Sequence, residues 1–168
     1  MEIIPPPSPV PFGVTLAIEA AGIALCISPD GWEVSDAAAA LAIIAAYDPL
    51  PAAIAAKSAE ITAAKWVAID AGIVVSGIPV RTDAASLSML QGLAFMANAT
   101  GGAFNFKASN GKPYAVNSAQ AIGIAVAAGK HVQACFNREA ELLAALNSAA
   151  TWQDALAIDA GAGFPSNE

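Results

Sequence analysis

The pattern of hydrophobic and polar positions predicts short elements in the N-terminal part of the chain. Residues 1–12 are rich in proline, which fixes φ and lacks an amide hydrogen, so we expect an extended arm there. Scattered aliphatic residues predict two short strands, at 14–19 and 23–27. Pro29-Asp30-Gly31 predicts the turn that follows the second strand, because proline presets φ and glycine accepts a positive φ.

Helices and two hairpins are predicted along the next hundred residues. Cap residues and prolines indicate where three helices begin and end, and we expect these helices at 35–47, from Pro51 to about 70, and at 84–98. A β-branched run at 72–82 has Ser76-Gly77 at its centre, which indicates a hairpin. Asn110-Gly111 is the strongest short hairpin dipeptide, and it predicts a second hairpin at 104–116.

The longest predicted helix runs from Ser118 to about Asn147 and carries two apolar arcs. At about 100° per residue, the wider arc holds Ile122, Ala125, Val126, Gly129, Val132, Phe136, Ala140 and Leu143. The second arc holds Ile124, Ala128, Cys135, Leu142 and Leu146. A helix that touches one core needs a narrower stripe, so we expect this helix to pack on two sides, against the N-terminal module or a neighbouring subunit. A short helix capped by Thr151 follows.

These elements predict an α+β fold, with a small N-terminal strand-containing module, then helices with two β-hairpins and a long C-terminal helix. The predicted organisation is an extended Pro-rich docking arm at 1–12, an acidic N-terminal module at 13–48, a helix and hairpin domain at 49–158, and a flexible tail at 159–168.

Composition suggests that much of the surface is covered by other chains. Hydrophobic residues make up 57% of the sequence and charged residues only 12%, whereas soluble domains usually carry about 25% charged residues. We therefore expect a homo-oligomer, with a trimer as one candidate. The alternative is that alanine raises the mean hydropathy without forming large apolar patches.

Charge is unevenly distributed along the chain. Six acidic residues and no basic residue precede Lys57, while the remainder has eight acids and seven bases. An acidic N-terminal part repels phosphate, so nucleic-acid binding is not expected. The late first basic residue also argues against a secretory signal, and the apolar runs are too short for membrane insertion. Cys26 and Cys135 are predicted to be apolar core residues, which fits a cytoplasmic site of synthesis.

No constellation of residues predicts catalysis, a metal or a cofactor. His131 is the only histidine, and neither Cys135 nor any serine has a persuasive third partner near it in sequence. Glu139 and Glu141 are two residues apart and face different sides of a helix, so they are predicted to be solvated charges. The catalytic, cofactor-binding and metal-binding residues are therefore predicted to be none, and the protein is predicted not to be an enzyme.

An ordered series of motifs resembles a domain of unknown function that is common in bacteriophage and prophage tail genes. The motifs are AKSAEITAAK at 56–65, SGIPVRTD at 76–83, FNFKASNGK at 104–112, AAGKHV at 127–132 and AATWQDA at 149–155. The preceding YDPLP at 47–51 looks like the linker often found before that domain, so the resemblance covers roughly 47–158. The chain departs from the family pattern in having few charges on its helices.

The resemblance implies a structural component of a bacteriophage tail, at the fibre, collar or baseplate, that acts by protein–protein assembly in the virion. Its expected partners are other phage tail proteins and further copies of itself. The expected assembly contacts are Ile3, Ile4, Val10, Phe12, Trp66, Ile124, Cys135 and Leu142. The alternative is a tail-fibre assembly chaperone that is absent from the mature virion. A second rival is a small enzyme acting on the cell surface, with His131, Glu139 and Glu141 as its candidate groups.

Overall fold

A computed structural model describes residues 1–166, and it is mixed α and β, which confirms the predicted α+β class. The helices are α1 (Val14–Ala20), α2 (Ala37–Ala46), α3 (Leu50–Asp70), α4 (Ala84–Thr100), α5 (Ser118–Asn147) and α6 (Trp152–Ala157). The strands are β1 (Glu2–Ile4), β2 (Leu25–Ser28), β3 (Gly31–Val34), β4 (Ile73–Val75), β5 (Ile78–Val80), β6 (Ala103–Lys107) and β7 (Pro113–Asn117).

The chain forms two compact units. Unit 1 comprises Met1–Ser58 and Ala145–Ile158, and unit 2 comprises Ala59–Ala144 and the segment from Asp159 onward. The boundaries fall inside α3 and α5, and each of these helices contributes residues to both units.

Unit 1 is built on a three-stranded antiparallel sheet in the order β1-β3-β2. One face of the sheet is buried against α1. The side chains on this face are Ile4, Trp32 and Val34, and they pack in one core with Val14 and Ile18 of α1. The Asp36 carboxylate accepts a hydrogen bond from the Ala39 amide, so it caps α2 as the sequence predicts.

The strand predicted at 14–19 is wrong, because this segment is helix α1. Val14 and Ile18 are both buried, and their spacing of four residues matches one turn of a helix. Gly13 caps the start of this helix with φ of 78°. A Cβ on Gly13 would lie only 2.6 Å from the Tyr47 hydroxyl oxygen. The sequence analysis also missed β1 and β3, although the turn between β2 and β3 falls on the predicted Pro29-Asp30-Gly31.

Both hairpins of unit 2 form where the turn dipeptides predict them. The β4–β5 hairpin turns at Ser76 and Gly77, with φ of 50° and 80°, as a two-residue turn with positive φ at both positions requires. In the second hairpin Phe104 pairs with Val116 and Phe106 with Tyr114, in the predicted alternation. The Ser109 amide at its tip donates to the Pro79 carbonyl oxygen of β5.

Helix α5 supplies much of the core of unit 2, and it begins with a reciprocal cap. The Asn117 and Gln120 side chains each accept a hydrogen bond from the other residue's amide. Within the helix, the buried apolar residues recur at intervals of three, four and seven residues, which keeps them on one side of the helix. They are Ala121, Ile124, Ala128, Cys135, Leu142 and Leu146. This set contains the whole of the second predicted arc, whereas the wider arc includes the exposed Val126 and Phe136.

The segment after α6 is not structureless, contrary to the expectation for 159–168. Its described part forms a turn at 160–163, and the Arg138 guanidinium donates from Nε to the Ala162 carbonyl oxygen at 2.8 Å. A Cβ on Gly163 would meet that guanidinium at 2.8 Å, so the turn packs closely on α5.

Candidate functional site

Helix α4 carries an exposed face without charge. None of its 17 residues is acidic or basic, and Leu90 and Ala97 are buried on its inner side. Three large apolar side chains project from its outer side, where Met89 is 70% exposed, Phe95 73% and Met96 50%. We call these three residues, with Gly92 and Ala99 between and after them, the α4 face. Large exposed apolar patches often mark interaction sites in soluble proteins, and this makes the α4 face a candidate interaction surface.

A groove of about 530 Å³ borders the α4 face. Its apolar part comes from α4 and from the β6–β7 hairpin, with Met89, Leu93 and Phe106 as its large members. Arg81 and Lys107 line the same groove and are exposed to solvent. The remaining lining residues are Ser86, Leu90, Asn105, Ala108, Ser109 and Gly111. The groove therefore combines apolar walls with positive charge, and no acidic residue among 1–166 is in its lining.

A second apolar surface in unit 2 consists of an aromatic pair on α3 and α5. The rings of Trp66 and Phe136 meet edge to face with centroids 6.2 Å apart. The Lys65 Nζ lies 4.4 Å from the Trp66 ring centroid and 4.8 Å from that of Phe136, within cation–π range of both. Trp66 is nevertheless 50% exposed. Lys65 thus contacts both rings on their inner side, while the outer side of the pair remains exposed to solvent.

The structure divides the eight predicted assembly contacts into exposed and covered residues. Ile3, Val10 and Trp66 are exposed, and Phe12 is half-buried. Four predicted contacts are not surface positions in this chain, namely Ile4, Ile124, Cys135 and Leu142. Ile4 packs in the core of unit 1 because β1 pairs with β3, and the other three form the buried stripe of α5. The sequence analysis missed the α4 face, whose lack of any charged residue was the available signal.

His131 and Cys135 lie one turn apart on α5 and are both buried. The His131 Nε2 is 3.1 Å from the Ala68 carbonyl oxygen and 3.8 Å from the Cys135 Sγ. A carbonyl oxygen only accepts, so Nε2 carries the proton and cannot take one from the thiol. Burial also raises the pKa of the Cys135 thiol, which favours its neutral form. This geometry serves packing and does not activate a nucleophile.

The two carboxylates considered for acid–base chemistry are each engaged by a cation. Glu139 accepts hydrogen bonds from Lys65 Nζ at 3.0 Å and from the Thr62 hydroxyl at 2.9 Å. Glu141 pairs with Arg138 at 2.8 Å. Among residues 1–166 there is no group of three or more His, Cys, Asp or Glu side chains that could hold a metal ion.

Asp83 caps α4 beside the groove. Hydrogen bonds from the Ser86 hydroxyl, at 2.7 Å, and from its amide, at 3.0 Å, lower the pKa of the Asp83 carboxyl from its ordinary value of 3.8. The carboxylate therefore fixes the start of the helix that presents the α4 face.

In the part of the chain that the structure describes, no single helix is both long and apolar enough to cross a membrane. Helices α2 and α3, which meet at a bend of 70°, satisfy the length and composition of a span only when they are taken together.

The fold and these surfaces define an α+β protein whose most distinctive features are exposed apolar faces. The chain belongs to the family described as Domain of unknown function (DUF4376), which matches residues 52–162. This match begins directly after the YDPLP segment and ends within the turn that follows α6. It confirms the resemblance to a domain of unknown function. No curated protein and no solved structure matches the chain.

Proposed function

We propose that this protein is a structural component of a bacteriophage tail that acts by protein–protein assembly and not by catalysis. The observation that carries the proposal is the α4 face, where three large apolar side chains are exposed on a helix without charge. Leaving such a surface in water is unfavourable, at about 25 cal/mol per Å² of apolar area, so covering it stabilises an assembly. The placement in a phage tail rests on the ordered motifs at 56–155.

Quantitative mass spectrometry of purified phage particles tests the proposal. We expect the protein at a fixed ratio to the known tail proteins, in line with its copy number in a symmetric tail. An assembly chaperone binds only during construction, so recovery far below that ratio would replace the proposed role with the chaperone role. Absence from both the particle and its assembly intermediates would contradict an assembly role altogether.

Substitution of the α4 face tests whether this surface is responsible for incorporation into the phage particle. The triple variant Met89→Gln, Phe95→Gln, Met96→Gln should fold with a free energy of unfolding within about 1 kcal/mol of wild type, because the three side chains are exposed. We expect it to be lost from the particle. The matched variant with leucine at the same three positions keeps the surface apolar and should be incorporated. Normal incorporation of the glutamine variant would contradict the assignment of this face.

A further inference from the structure

The three-stranded sheet of unit 1 has two edge strands, β1 and β2, which differ in how they are protected against further pairing. Strand β1 is followed directly by Pro5, Pro6 and Pro7, which lack amide hydrogens and cannot continue a ladder. Strand β2 contains neither proline nor a charged residue, the two residue types that commonly block an edge. Its Cys26 and Ile27 are exposed, the latter by 66%. The edge of β2 is therefore open to another strand.

Hydrogen-bond alternation along the β2–β3 ladder shows which backbone groups lie on this open edge. The Ser35 amide donates to the Ala24 carbonyl oxygen at 3.0 Å, one residue pair before the ladder begins. Bonded and non-bonded pairs alternate in an antiparallel ladder, so Cys26 bonds to β3 and its two neighbours do not. The N–H and C=O groups of Leu25 and Ile27 therefore point away from β3. They bond to no other backbone group among residues 1–166.

We propose that β2 pairs with β2 of a second copy, antiparallel and about a twofold axis at Cys26. In this register Leu25 of each copy lies opposite Ile27 of the other, and such a pair exchanges hydrogen bonds in both directions. The two Leu25–Ile27 pairs together satisfy all of the outward-pointing groups. The two sheets become one continuous sheet in the order β1-β3-β2-β2-β3-β1.

The side chains select a second copy as the occupant of this edge. Leu25 lies on the face of the sheet that is buried against α1, where it packs against the core of unit 1. Ile27 lies on the same face but at the outer limit of that core, which leaves it 66% exposed. Pairing places Ile27 directly opposite Leu25 of the other copy, and apolar cross-strand pairs of this kind stabilise a sheet. The core of each copy is thus continued by the core of the other, which a polar strand would not do.

The residues at the axis and beside it permit the pairing. Cys26 faces Cys26 of the other copy in a non-hydrogen-bonded pair, in which Cα atoms are about 4.5 Å apart. Glu33 lies beside Cys26 on the same face. The two Glu33 side chains are three strand spacings apart, about 14 Å, which exceeds the Debye length of about 10 Å at 0.1 M salt. Charge repulsion between the copies is therefore weak.

The proposed contact is separate from the α4 face, and it is small. It covers one strand of four residues in each copy, so it buries less surface than the roughly 1,200 to 2,000 Å² of a standard interface. We therefore expect a weak dimer in dilute solution, which a covalent link can trap. In an assembly that also holds the chain through the α4 face, the effective concentration of β2 edges is higher.

Disulfide trapping in the full chain tests the pairing, with Cys26 as the reporter. Cys135 is buried, so Cys26 is the accessible thiol of the two cysteines. Oxidation with copper phenanthroline should convert the wild type to a covalent dimer on a non-reducing gel, because the expected Cα separation is within the roughly 4.4 to 6.8 Å that a disulfide needs. The control Ile3→Cys, Cys26→Ser places an exposed thiol on the same face at the opposite edge. It should form dimer at least about tenfold more slowly, since only random collision joins its thiols.

Substitutions of Ile27 separate pairing at the edge from random collision. Ile27→Pro removes an outward-pointing amide hydrogen but no bond to β3, and Ile27→Lys places a charge on the edge. Both should slow the formation of the Cys26 dimer at least about tenfold. The matched variant Ile27→Val keeps the amide and a β-branched side chain, so its rate should be within about twofold of wild type. Because Ile27 is exposed, the variants should fold, and circular dichroism of each checks this.

Two results would overturn the inference. One is an equal rate of dimer formation in the wild type and in the Ile3→Cys, Cys26→Ser control. The other is a Cys26 dimer whose rate is lowered by neither Ile27→Pro nor Ile27→Lys.

The alternative occupant is a strand of another tail protein. It would be indicated if Cys26 resists alkylation in purified particles while the isolated protein forms no Cys26 dimer faster than the control, and this result also overturns self-pairing. In every case the α4 face variants and the particle mass spectrometry decide the proposed function independently, because they probe a different surface.

Discussion

Lys65 shows how a polar side chain is accommodated between α3 and α5. Its side chain is 7% exposed and that of its partner Glu139 is 14% exposed, so water solvates neither charge well. The ammonium is compensated by the carboxylate at 3.0 Å and by two aromatic rings. The pair fixes the register of the two helices beneath Trp66 and Phe136, which keeps the aromatic pair in place.

Removing one partner of this ion pair should lower the free energy of unfolding, because the other charge is left buried. Lys65→Met leaves the Glu139 carboxylate with only the Thr62 hydroxyl, and we expect the free energy of unfolding to fall by about 3 kcal/mol. The double variant Lys65→Met, Glu139→Leu removes both charges and should recover most of that loss. Urea denaturation measures both. Lys130→Met, at an exposed position, is the control and should change stability by less than about 0.5 kcal/mol. Equal stability of wild type and Lys65→Met would contradict this account.

The cap at Asp83 makes the stability of α4 depend on pH. Its pKa in the folded protein is lowered from 3.8, so the carboxylate stabilises the fold fully above that pH and ceases to do so as pH falls through the lower folded value. The urea midpoint of Asp83→Ala should thus lie below that of wild type at neutral pH, and the difference should shrink in acid. Asp83→Asn keeps an acceptor for the Ser86 amide without titrating, so its midpoint should show a smaller deficit. A difference between wild type and Asp83→Ala that does not change with pH would argue against this role.

At the scale of elements, the sequence predicts those parts whose local signals are strong. Asp36, Asp83 and Thr151 cap their helices through side-chain hydrogen bonds, as expected of these residue types. Both hairpins follow from dipeptides that tolerate positive φ. Strands β1 and β3 carry no comparable signal, because their pairing is decided by packing against α1 and α2.

A close approach of backbone at Gly72 gives a prediction for the first hairpin. Gly72 has φ 73°, and a Cβ there would lie 2.5 Å from the Val80 carbonyl oxygen. Gly72→Ala should therefore lower the free energy of unfolding by more than about 2 kcal/mol, through strain and steric clash together. Gly77 has a similar φ of 80° but open space around it, so Gly77→Ala should lose only about 1 kcal/mol. Thermal unfolding of the pair measures the difference, and equal losses would contradict the close contact.

The two arcs of α5 show where periodicity stops being informative. Residue spacing correctly separates an arc with Ile124 and Cys135 from one with Val126 and Phe136. It cannot say which arc the chain covers itself, because that depends on distant elements such as α3 and the hairpins. The arc chosen from sequence for assembly is the buried one, and the exposed Phe136 belongs to the other.

For the whole molecule, composition anticipated exposed apolar surface without locating it. A sequence with 12% charged residues must leave some faces uncharged. In the folded chain one such face is on α4, where Met89, Phe95 and Met96 are exposed together. The groove could not be predicted, since it joins α4 to Phe106 and Lys107 of a hairpin that follows it in the chain. Long-range packing therefore decides the candidate site, whereas local signals decide most of the fold.

Oxidation of Met89 and Met96 by hydrogen peroxide, followed by mass spectrometry, tests most directly whether the α4 face is covered by other chains. Both side chains are exposed in the isolated protein and should oxidise readily there, relative to a methionine peptide added to report the oxidant dose. In the purified phage particle the same two residues should be strongly protected. Equal oxidation rates in the isolated protein and in the particle would contradict the account.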